Sequence, residues 1–415
     1  MTHRRKQPEH TTMGKKYLFV HQNFPGQFVH VAAALAAAGH QVVALGITGR
    51  KVPGVHYVRY EPARVPAGGV VRGDLAAKLV RAEGCASAML ALKAQGFQPD
   101  VIIAHPGWGE ALFCKDVWPQ ARLVVFAEFY YTVDGSDYAF DPEFQTDTPA
   151  ARMRLRLKNT ALLHALAAAD AAYAPTQWQK SQVPAAFQHK VQVIFDGIDT
   201  QLVKPAAGVS VRLKRDNLTL SRADEVITFV NRNLEPYRGF HTFMRALPDM
   251  LARRPRAHVL IVGRDGVSYG ARPKGGGSWK DAMLREVGAN LPVDRVHFLG
   301  PLPYAQYLQV LQISTCHVYL TYPFVLSWSC LESMSAGNVV VGSDTAPVRE
   351  VIEDGHNGRL TGFFDTQAMA TRVAEVLASP GDYAALSARA RATVQARYDL
   401  KTVCLPELMR FIANL

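Results

Sequence analysis

Cysteine is scarce in this chain of 415 residues, and its few copies are scattered. No two of them are separated by the two to four residues that zinc sites use. Their odd number also argues against a disulfide framework, so the pattern predicts a protein of a reducing compartment, the cytosol. The five positions are Cys85, Cys114, Cys316, Cys330 and Cys404.

Long apolar runs are also missing. Residues 301–331 contain no Asp, Glu, Lys or Arg, but Pro303 and Pro323 interrupt this stretch and it holds three glutamines. A bilayer span needs about 20 predominantly apolar residues. The opening sequence, MTHRRK, is polar and basic, unlike a secretory signal. We expect a cytoplasmic protein without a membrane span, in which residues 1–16 form a disordered basic tail.

Acidic residues are fewer than basic ones, which gives a net charge of +11. A basic cluster, Arg152, Arg154, Arg156 and Lys158, precedes a helical run at 160–169. Its spacing of two spreads the charges around a helix. Either the cluster is a solvated helix start, or it contacts an anionic membrane or a phosphate-bearing acceptor. No nucleic-acid motif accompanies the charge, so no nucleic-acid partner is expected.

Short apolar runs alternate with helical patterns twice along the chain. This alternation predicts an α/β protein with parallel sheets and right-handed crossovers. We place one domain at 17–200, a linker at 201–224, a second domain at 225–396 and a last helix at 397–415. The predicted strands lie at 17–21, 41–47, 101–104, 122–127, 191–195, 226–230, 258–262, 295–299, 317–322 and 338–342, and the predicted helices at 27–38, 239–252, 279–289, 304–313 and 328–336.

The segment 322–337 reads Tyr-Pro-Phe-Val-Leu-Ser-Trp-Ser-Cys-Leu-Glu-Ser-Met-Ser-Ala-Gly. A strand-like run ends at Pro323, and a short helix follows Ser327. Such a unit directs free backbone N–H groups beyond the C-terminal edge of a parallel sheet, where anions bind. The helix carries one acid, Glu332, which either binds a ligand or forms a Ser-x-x-Glu capping box with Ser329.

Two arginines follow the first strand of the second domain. Arg232 and Arg238 are six residues apart in the segment Asn-Arg-Asn-Leu-Glu-Pro-Tyr-Arg-Gly. Their planar guanidinium groups suit phosphate oxygens and stay charged at any working pH. The spacing predicts that both bind one diphosphate; the alternative is a pair of surface charges beside a turn.

Polar residues also follow the strands of the first domain. Gly26 and Gln27 lie ahead of a helix, where a glycine permits a phosphate or acceptor loop or serves a plain turn. Glu128 follows strand 122–127, and His105 follows strand 101–104. Glu128 could bond a sugar hydroxyl or accept a proton, and His105 is either catalytic or structural.

These segments resemble the family 4 glycosyltransferases, and the resemblance extends over nearly the whole chain from Tyr17. The phrases His-Gln-Asn-Phe-Pro-Gly-Gln (21–27) and Ala-Pro-Thr-Gln-Trp (174–178) are similar to a subgroup of bacterial polysaccharide assembly. The family implies a GT-B fold, in which an acceptor-side domain and a nucleotide-sugar-binding domain, both Rossmann-like, face a cleft. It also implies that the last helix crosses back to the first domain.

The resemblance further implies roles for individual residues. It places the diphosphate on Arg232, Arg238 and the amides of Leu326, Ser327 and Trp328, the ribose on Glu332, and the base near Leu302 and Tyr304. Gly26 and Gln27 would join the donor site, with Glu128 and His105 near the donor sugar. The sequence departs from the family at Arg238, where lysine is usual, and at Phe324, where a glutamate is usual. Phe324 cannot accept hydrogen bonds, which predicts tolerance of donors altered at C3 or C4.

The expected activity is transfer of a sugar from a nucleotide sugar to a hydroxyl of a glycan, lipid-linked or small-molecule acceptor, with retention of configuration. The chain has no Asp-x-Asp pair of the kind that holds a divalent ion in GT-A enzymes. We therefore expect neither metal nor cofactor. A nucleotide-sugar 2-epimerase and a non-catalytic sugar-nucleotide binding protein are the alternatives.

Overall fold

Two parallel β-sheets flanked by helices make up the protein, as the sequence predicts. The computed structural model describes residues 14–65, 70–145, 147–213 and 217–415. Residues 1–13 of the predicted tail lie outside the described residues. Strands of continuous apolar sequence, such as Val-Ile-Ile-Ala at 101–104, are buried on both faces, as parallel sheets require.

The first sheet has seven strands in the order β5-β3-β1-β6-β7-β8-β9, all of them parallel. Two short strands, β2 and β4, form a separate ladder at its edge. In chain order the strands are β1 (Lys16–Val20), β2 (Asn23–Phe24), β3 (Gln41–Gly46), β4 (Thr48–Gly49), β5 (Val55–Arg59), β6 (Val101–Ala104), β7 (Arg122–Phe126), β8 (Ala171–Ala174) and β9 (Val191–Val193).

Six helices accompany this sheet in the described chain. A 3₁₀ turn, Gly26–Phe28, precedes the first of them. They are α1 (Val29–Ala37), α2 (Val70–Ala94), α3 (Cys114–Val117), α4 (Pro149–Ala168), α5 (Gln177–Gln182) and α6 (Ala185–Gln188).

The segment predicted as a linker contains a β-hairpin, β10 (Ser210–Leu213) and β11 (Leu218–Ser221), which pair antiparallel. Leu213 and Leu220 are buried in the core of the second domain. Part of the segment is therefore a packed element, because its alternating apolar residues face that core.

The second sheet has six parallel strands in the order β14-β13-β12-β15-β16-β17. Its strands are β12 (Val226–Asn233), β13 (His258–Arg264), β14 (Val296–Gly300), β15 (Cys316–Tyr319), β16 (Val339–Ser343) and β17 (Arg359–Thr361). The helices are α7 (Phe240–Arg253), α8 (Trp279–Val287), α9 (Tyr304–Ile313), α10 (Trp328–Ser335), α11 (Ala346–Arg349), α12 (Thr366–Ala378), α13 (Ala384–Arg397) and α14 (Leu405–Ala413), with 3₁₀ turns Pro236–Arg238, Gly288–Asn290 and Pro380–Tyr383 and a π-helical turn Leu400–Cys404.

The last helix, α14, packs against α1 of the first domain. Leu408 and Ile412 are buried there, in the same apolar cluster as Phe19 and Leu35. This contact ties the end of the chain to its beginning.

The loop between β7 and α4 reaches from the first domain to the second; we refer to residues 128–145 as the bridging loop. Phe129 packs edge-on against Phe324, with ring centroids 4.6 Å apart. The hydroxyl of Tyr322 donates to Asp141 at 2.7 Å, and that of Tyr237 donates to Asp137 at 3.0 Å. The two sheets are therefore joined by polar and aromatic contacts beside the cleft.

Three members of the basic cluster on α4 hold this loop. Arg152 forms an ion pair with Asp134, Arg154 donates to the hydroxyl of Tyr138, and the ammonium of Lys158 lies 3.5 Å from the centre of the Tyr131 ring. These contacts give the cluster an internal role. No helix in the described ranges is both long and apolar enough to cross a membrane.

Candidate functional site

Three polar side chains follow neighbouring strands of the first sheet. His21 follows β1, His105 follows β6 and Glu128 lies just beyond β7. Because β1, β6 and β7 are adjacent and parallel, their C-terminal ends meet at one edge, where ligands bind in open α/β sheets. We call this the first edge.

His105 holds the carboxylate of Glu128. Its Nδ1 accepts a hydrogen bond from the backbone N–H of Gly107 at 3.1 Å, so the neutral ring carries its proton on Nε2. Nε2 lies 3.2 Å from Oε2 of Glu128 and donates to it. The ring is 3% exposed and both of its nitrogens are engaged, so in the ligand-free protein His105 holds the carboxylate of Glu128 in place.

Gln27 connects His21 to the same carboxylate. His21 Nδ1 accepts from the N–H of Asn23 at 2.9 Å, so its Nε2 donates to Oε1 of Gln27 at 3.0 Å. The amide of Gln27 then donates to Oε1 of Glu128 at 3.0 Å. Both oxygens of Glu128 thus accept a bond from the protein, while 29% of its side chain stays exposed to the cleft.

The pKa values at the first edge follow from these contacts. Burial acts to raise the pKa of Glu128, but the hydrogen bond from His105 and the positive charge of Arg232 lower it. Burial, helped by the neighbouring His105, lowers the pKa of His21 to about 3. At neutral pH Glu128 is ionised and His21 is neutral.

Gly26 is required by the packing of His21. Its φ is +49°, which other residues rarely adopt, and a Cβ at this position would overlap the imidazole of His21. The space beside Gly26 is therefore filled by a protein side chain. The geometry agrees with the interpretation of this glycine as a turn residue.

Arg238 is an almost buried cation without an acidic partner in the described chain. It is 7% exposed, and its Nη1 donates to Oγ1 of Thr321 at 3.0 Å and to the carbonyl of Val325 at 2.8 Å. The rings of Tyr269 and Phe324 flank its guanidinium at 5.4 and 5.6 Å. Buried charges are normally paired, so the arrangement leaves a place for an anion.

Arg232 stands at the C-terminal end of β12 and is exposed. It has no ion pair within the described residues, and it is close enough to the first edge to lower the pKa values of Glu128 and His21. Arg232 and Arg238 form, with the loop before α10, what we call the second edge. The two edges therefore face one another.

Glu235 was not singled out from the sequence, although it lies between the two arginines. Its buried carboxylate accepts backbone N–H bonds from Ser268, Tyr269 and Gly270 at 2.9, 3.1 and 3.0 Å. These bonds hold the Tyr269 ring beside the guanidinium of Arg238. The sequence does carry one signal for Glu235, because an acidic residue there lies shortly after the predicted end of a strand.

The start of α10 presents two of the three amides that the sequence assigns to the diphosphate. The N–H of Ser327 already donates to the hydroxyl of Tyr319 at 2.8 Å, whereas those of Leu326 and Trp328 have no such partner in the described chain. Ser327, the N-cap, makes no side-chain cap bond, and Ser329 lies inside the helix. The capping box of Ser329 and Glu332 is therefore wrong.

Glu332 is 6% exposed and lies on the buried side of α10. Both of its oxygens accept hydroxyl bonds from α9: Tyr304 donates to Oε1 at 2.7 Å and Tyr307 to Oε2 at 2.6 Å. Burial raises the pKa of Glu332, while the two hydroxyl groups oppose that rise. Leu302, half-buried, packs on the adjoining apolar core.

Phe324 lies inside an aromatic cluster and is 1% exposed. Its ring centroid is 4.6 Å from that of Phe129 and 4.7 Å from that of Tyr269. The bridging loop thus covers the position at which family relatives carry a glutamate. The ring offers no surface to a sugar in this conformation.

Trp328 makes a polar contact across the cleft. Its indole Nε1 donates to Oδ2 of Asp196, in the loop after β9, at 2.8 Å. Burial, with a smaller contribution from the negative charge of Glu128, raises the pKa of Asp196 to about 7, while the indole bond opposes the rise. Asp196 was not among the residues predicted from the sequence.

One group of three possible metal ligands occurs in the described residues, between the bridging loop and α7. It consists of Asp141, Glu143 and His241. Asp141 already contacts His241 Nε2 at 3.0 Å and the hydroxyl of Tyr322. Glu143 forms a two-point ion pair with Arg245. These contacts show that the three side chains already serve to link the two domains.

A cavity of about 760 Å³ lies at the N-terminal ends of the second sheet, where Asp224, Thr315 and Val339 line it. Parallel sheets bind ligands at the opposite end. Arg222 and Arg391 line the cavity and donate to the carbonyls of Gly337 and Ser335 near the end of α10. Cations at that terminus stabilise a helix.

Comparisons with known proteins cover both domains. The family description "Glycosyl transferase family 4 group" matches residues 38–203, and "Glycosyl transferases group 1" matches residues 211–393. A D-inositol 3-phosphate glycosyltransferase of Rhodococcus jostii is 27% identical over 49% of this chain and 43% of its own length. A phosphatidyl-myo-inositol mannosyltransferase of Mycolicibacterium smegmatis is 30% identical over 44% and 43%. The chain thus matches less than half of each relative.

Solved structures match nearly the whole chain. HepE of Anabaena in complex with UDP and glucose has a TM-score of 0.69 at 17% identity and covers 97% of this chain and 100% of its own. Sucrose-phosphate synthase of Thermosynechococcus elongatus has a TM-score of 0.70 at 17% identity over 96% and 99%. At these low sequence identities, the two structures support similarity of fold alone. Together with the two family matches, they show that the chain belongs to the family 4 glycosyltransferases of GT-B fold.

Proposed function

We propose that the protein transfers a sugar from a nucleotide sugar to a hydroxyl of an acceptor, with retention of configuration. The observation that carries the proposal is Arg238, a nearly buried guanidinium bonded to neutral oxygens alone. A buried cation is stable when an anion compensates it, and the diphosphate of a nucleotide sugar supplies that charge. HepE, which shares the fold, has been solved with UDP and glucose.

The donor lies mainly on the second edge in this proposal. Its diphosphate contacts Arg232, Arg238 and the free amides at the start of α10, and its ribose hydroxyls contact Glu332. Negative charge accumulates on the diphosphate as the glycosidic bond breaks. Preorganised cations stabilise that state, and each such donor typically contributes about 3–4 kcal/mol. The arginines thereby supply the charge that a metal ion supplies elsewhere, so we propose that no metal is required.

Glu128 faces this donor from the first edge. Its lowered pKa makes it a weak base and keeps it ionised, so a hydrogen bond to a sugar hydroxyl suits it better than receipt of a proton. Hydrogen bonds from His105 and Gln27 fix the direction of the carboxylate. We propose that Glu128 orients the transferred sugar.

The acceptor enters from the first domain. The curated relatives are named for inositol 3-phosphate and for phosphatidyl-myo-inositol, so a polyol hydroxyl is the acceptor group that we propose for this chain. A glycan, a lipid-linked sugar and a small molecule all present such a group. Closing of the two domains would exclude water and limit hydrolysis of the donor.

The proposal is tested by incubating the protein with UDP-, GDP- and dTDP-sugars, with and without a panel of polyol acceptors, in EDTA. Release of the nucleotide that depends on the acceptor, with the donor's anomeric configuration in the product by NMR, is the expected result. An acceptor-independent change at C2 of the sugar would mean an epimerase. Binding without turnover over the whole panel would indicate a binding protein, and loss of activity in EDTA would contradict metal independence.

A further inference from the structure

The carboxylate of Glu332 has no free oxygen in the ligand-free protein. Tyr304 and Tyr307 stand three residues apart on α9, hence on one face of the helix, and each donates its hydroxyl to one of the two oxygens. Their ring centroids are 5.7 Å apart. A ligand that binds this carboxylate must therefore share or replace one of these bonds.

The two tyrosines differ in their surroundings. Tyr307 is 8% exposed and belongs to the apolar core beneath α9 and α10. Tyr304 is 49% exposed at the first position of α9. If the hydroxyl of Tyr304 leaves Glu332, it can bond to water, whereas the buried hydroxyl of Tyr307 would lose its partner at the full cost of desolvation. Only Tyr304 is free to move at low cost.

We propose that Tyr304 is a displaceable gate on the ribose site at Glu332, and that Tyr307 is a positioning residue for Glu332. In the ligand-free protein the hydroxyl of Tyr304 occupies the position on Oε1 of Glu332 that we propose for a ribose hydroxyl. A ribose hydroxyl replaces it on binding, while Tyr307 keeps the carboxylate fixed through Oε2. The inference rests on the proposed function in that it takes Glu332 as the ribose ligand.

The gate lowers the affinity for a ribonucleotide below the value that an unoccupied Glu332 would give. Displacing Tyr304 removes one hydrogen bond from the carboxylate, and a ribose hydroxyl restores it. A deoxyribose at the same position restores nothing, so it must leave Oε1 to Tyr304 or leave it unpaired. Because Tyr304 can keep its bond to Oε1 when a deoxyribonucleotide binds, the gate narrows the difference in affinity between the ribonucleotide and the deoxy form.

The test compares Tyr304→Phe with Tyr307→Phe, which remove the same hydroxyl from the two sides of one carboxylate. Calorimetry measures the affinity for UDP, GDP and ADP, and then for the 2′-deoxy form of the tightest ligand. Tyr304→Phe should bind the ribonucleotide about 3- to 10-fold more tightly and the deoxy form with little change. Tyr307→Phe should bind the ribonucleotide more weakly. Tyr383→Phe, distant from Glu332 beside the large cavity, is the matched control.

Weaker ribonucleotide binding by Tyr304→Phe, or unchanged binding, would overturn the gate. Glu332→Gln separates this failure from a failure of the proposed function. If Glu332→Gln leaves nucleotide affinity unchanged, the ribose assignment and the gate both fall, while the diphosphate site at Arg238 stands. If no nucleoside diphosphate binds the wild-type protein, the donor site itself is wrong. Should Tyr307→Phe fail to fold, the Tyr304 and Glu332 variants still decide the question.

Discussion

The two edges that meet at the cleft are built in opposite ways. At the first edge each polar group already has a protein partner: His21 bonds Gln27, Gln27 bonds Glu128 and Glu128 bonds His105. At the second edge Arg238 is surrounded by neutral oxygens and aromatic rings. The polar groups of the first edge are therefore paired without a ligand, whereas the charge of Arg238 at the second edge is not compensated. The difference supports our proposal that the second edge binds the anion and the first edge orients a neutral sugar.

The largest effect is expected for Arg238→Ala. Loss of this cation should lower kcat by about 10²- to 10³-fold, because a preorganised charge opposite the leaving diphosphate is removed. Stability should change little, because the variant loses two hydrogen bonds but also loses a buried charge that has no acidic partner. Steady-state kinetics and thermal melting measure the two quantities.

Arg256→Ala is the matched control for that variant, because Arg256 is exposed and pairs with Glu225 at the far end of the sheet. It should keep wild-type kinetics. If Arg238→Ala retained near wild-type kcat at saturating donor, the uncompensated charge of the second edge would not contribute to catalysis.

Phe324→Glu adds a negative charge to the second edge and so tests whether the uncompensated charge of Arg238 binds an anion. Replacing the buried ring should cost about 3 kcal/mol of unfolding free energy. The new carboxylate lies near Arg238, so it should also weaken binding of nucleoside diphosphates. Chemical denaturation and calorimetry check both effects, with Phe324→Leu as the control that keeps apolar volume.

This expectation replaces the one from the sequence, in which Phe324 takes the place of a sugar-binding glutamate and makes the protein tolerant of donors altered at C3 or C4. The ring lies against Phe129 and Tyr269, away from solvent. A Phe324→Glu protein that is as stable as wild type and discriminates better against 3- and 4-deoxy donors would restore the earlier interpretation.

The free energy of unfolding should fall in acid because of His21 at the first edge. The pKa of His21 is about 3 in the folded protein, against an ordinary 6.5. The unfolded chain therefore takes up a proton below pH 6.5 while the folded chain does not, and stability is lost as the pH falls. Between pH 7 and pH 5 this loss amounts to about 2 kcal/mol.

Urea unfolding of the wild type and of His21→Gln at the two pH values measures this loss. The variant should lack that part of the pH dependence. A larger loss for the variant than for the wild type would show that His21 is charged in the folded protein.

The smallest effect is expected for Trp328→Phe, which removes the hydrogen bond between the edges. The indole donates to Asp196, whose pKa is about 7. Without that donor the pKa of Asp196 should rise further, and stability should change by about 1 kcal/mol or less. A ¹³C NMR titration of the Asp196 carboxyl group gives the pKa in both proteins; a lower value in the variant would contradict this.

Sequence reasoning located residues that follow strand ends, because the C-terminal edge of a parallel sheet is fixed by topology. Arg232, Arg238 and Glu128 were found in this way. It missed partners that come from distant parts of the chain: Asp196 and Trp328 are 132 positions apart, and Tyr322 and Asp141 are 181 apart. No local pattern specifies such contacts.

Local patterns also failed where apolar residues do not gather on one face. Helix α2 (Val70–Ala94) contains two glycines and scattered charges, and it was not predicted. The direction of Phe324 could not be predicted either, because the bridging loop that buries it belongs to the other domain.

The most direct test of the account is a crystal structure with a bound nucleoside diphosphate. The account predicts both phosphates at the second edge, within hydrogen-bond distance of Arg238 and of the free amides at the start of α10, with the contacts among His21, Gln27, Glu128 and His105 unchanged. Phosphates bound at the first edge, with Arg238 still surrounded by neutral groups, would contradict it.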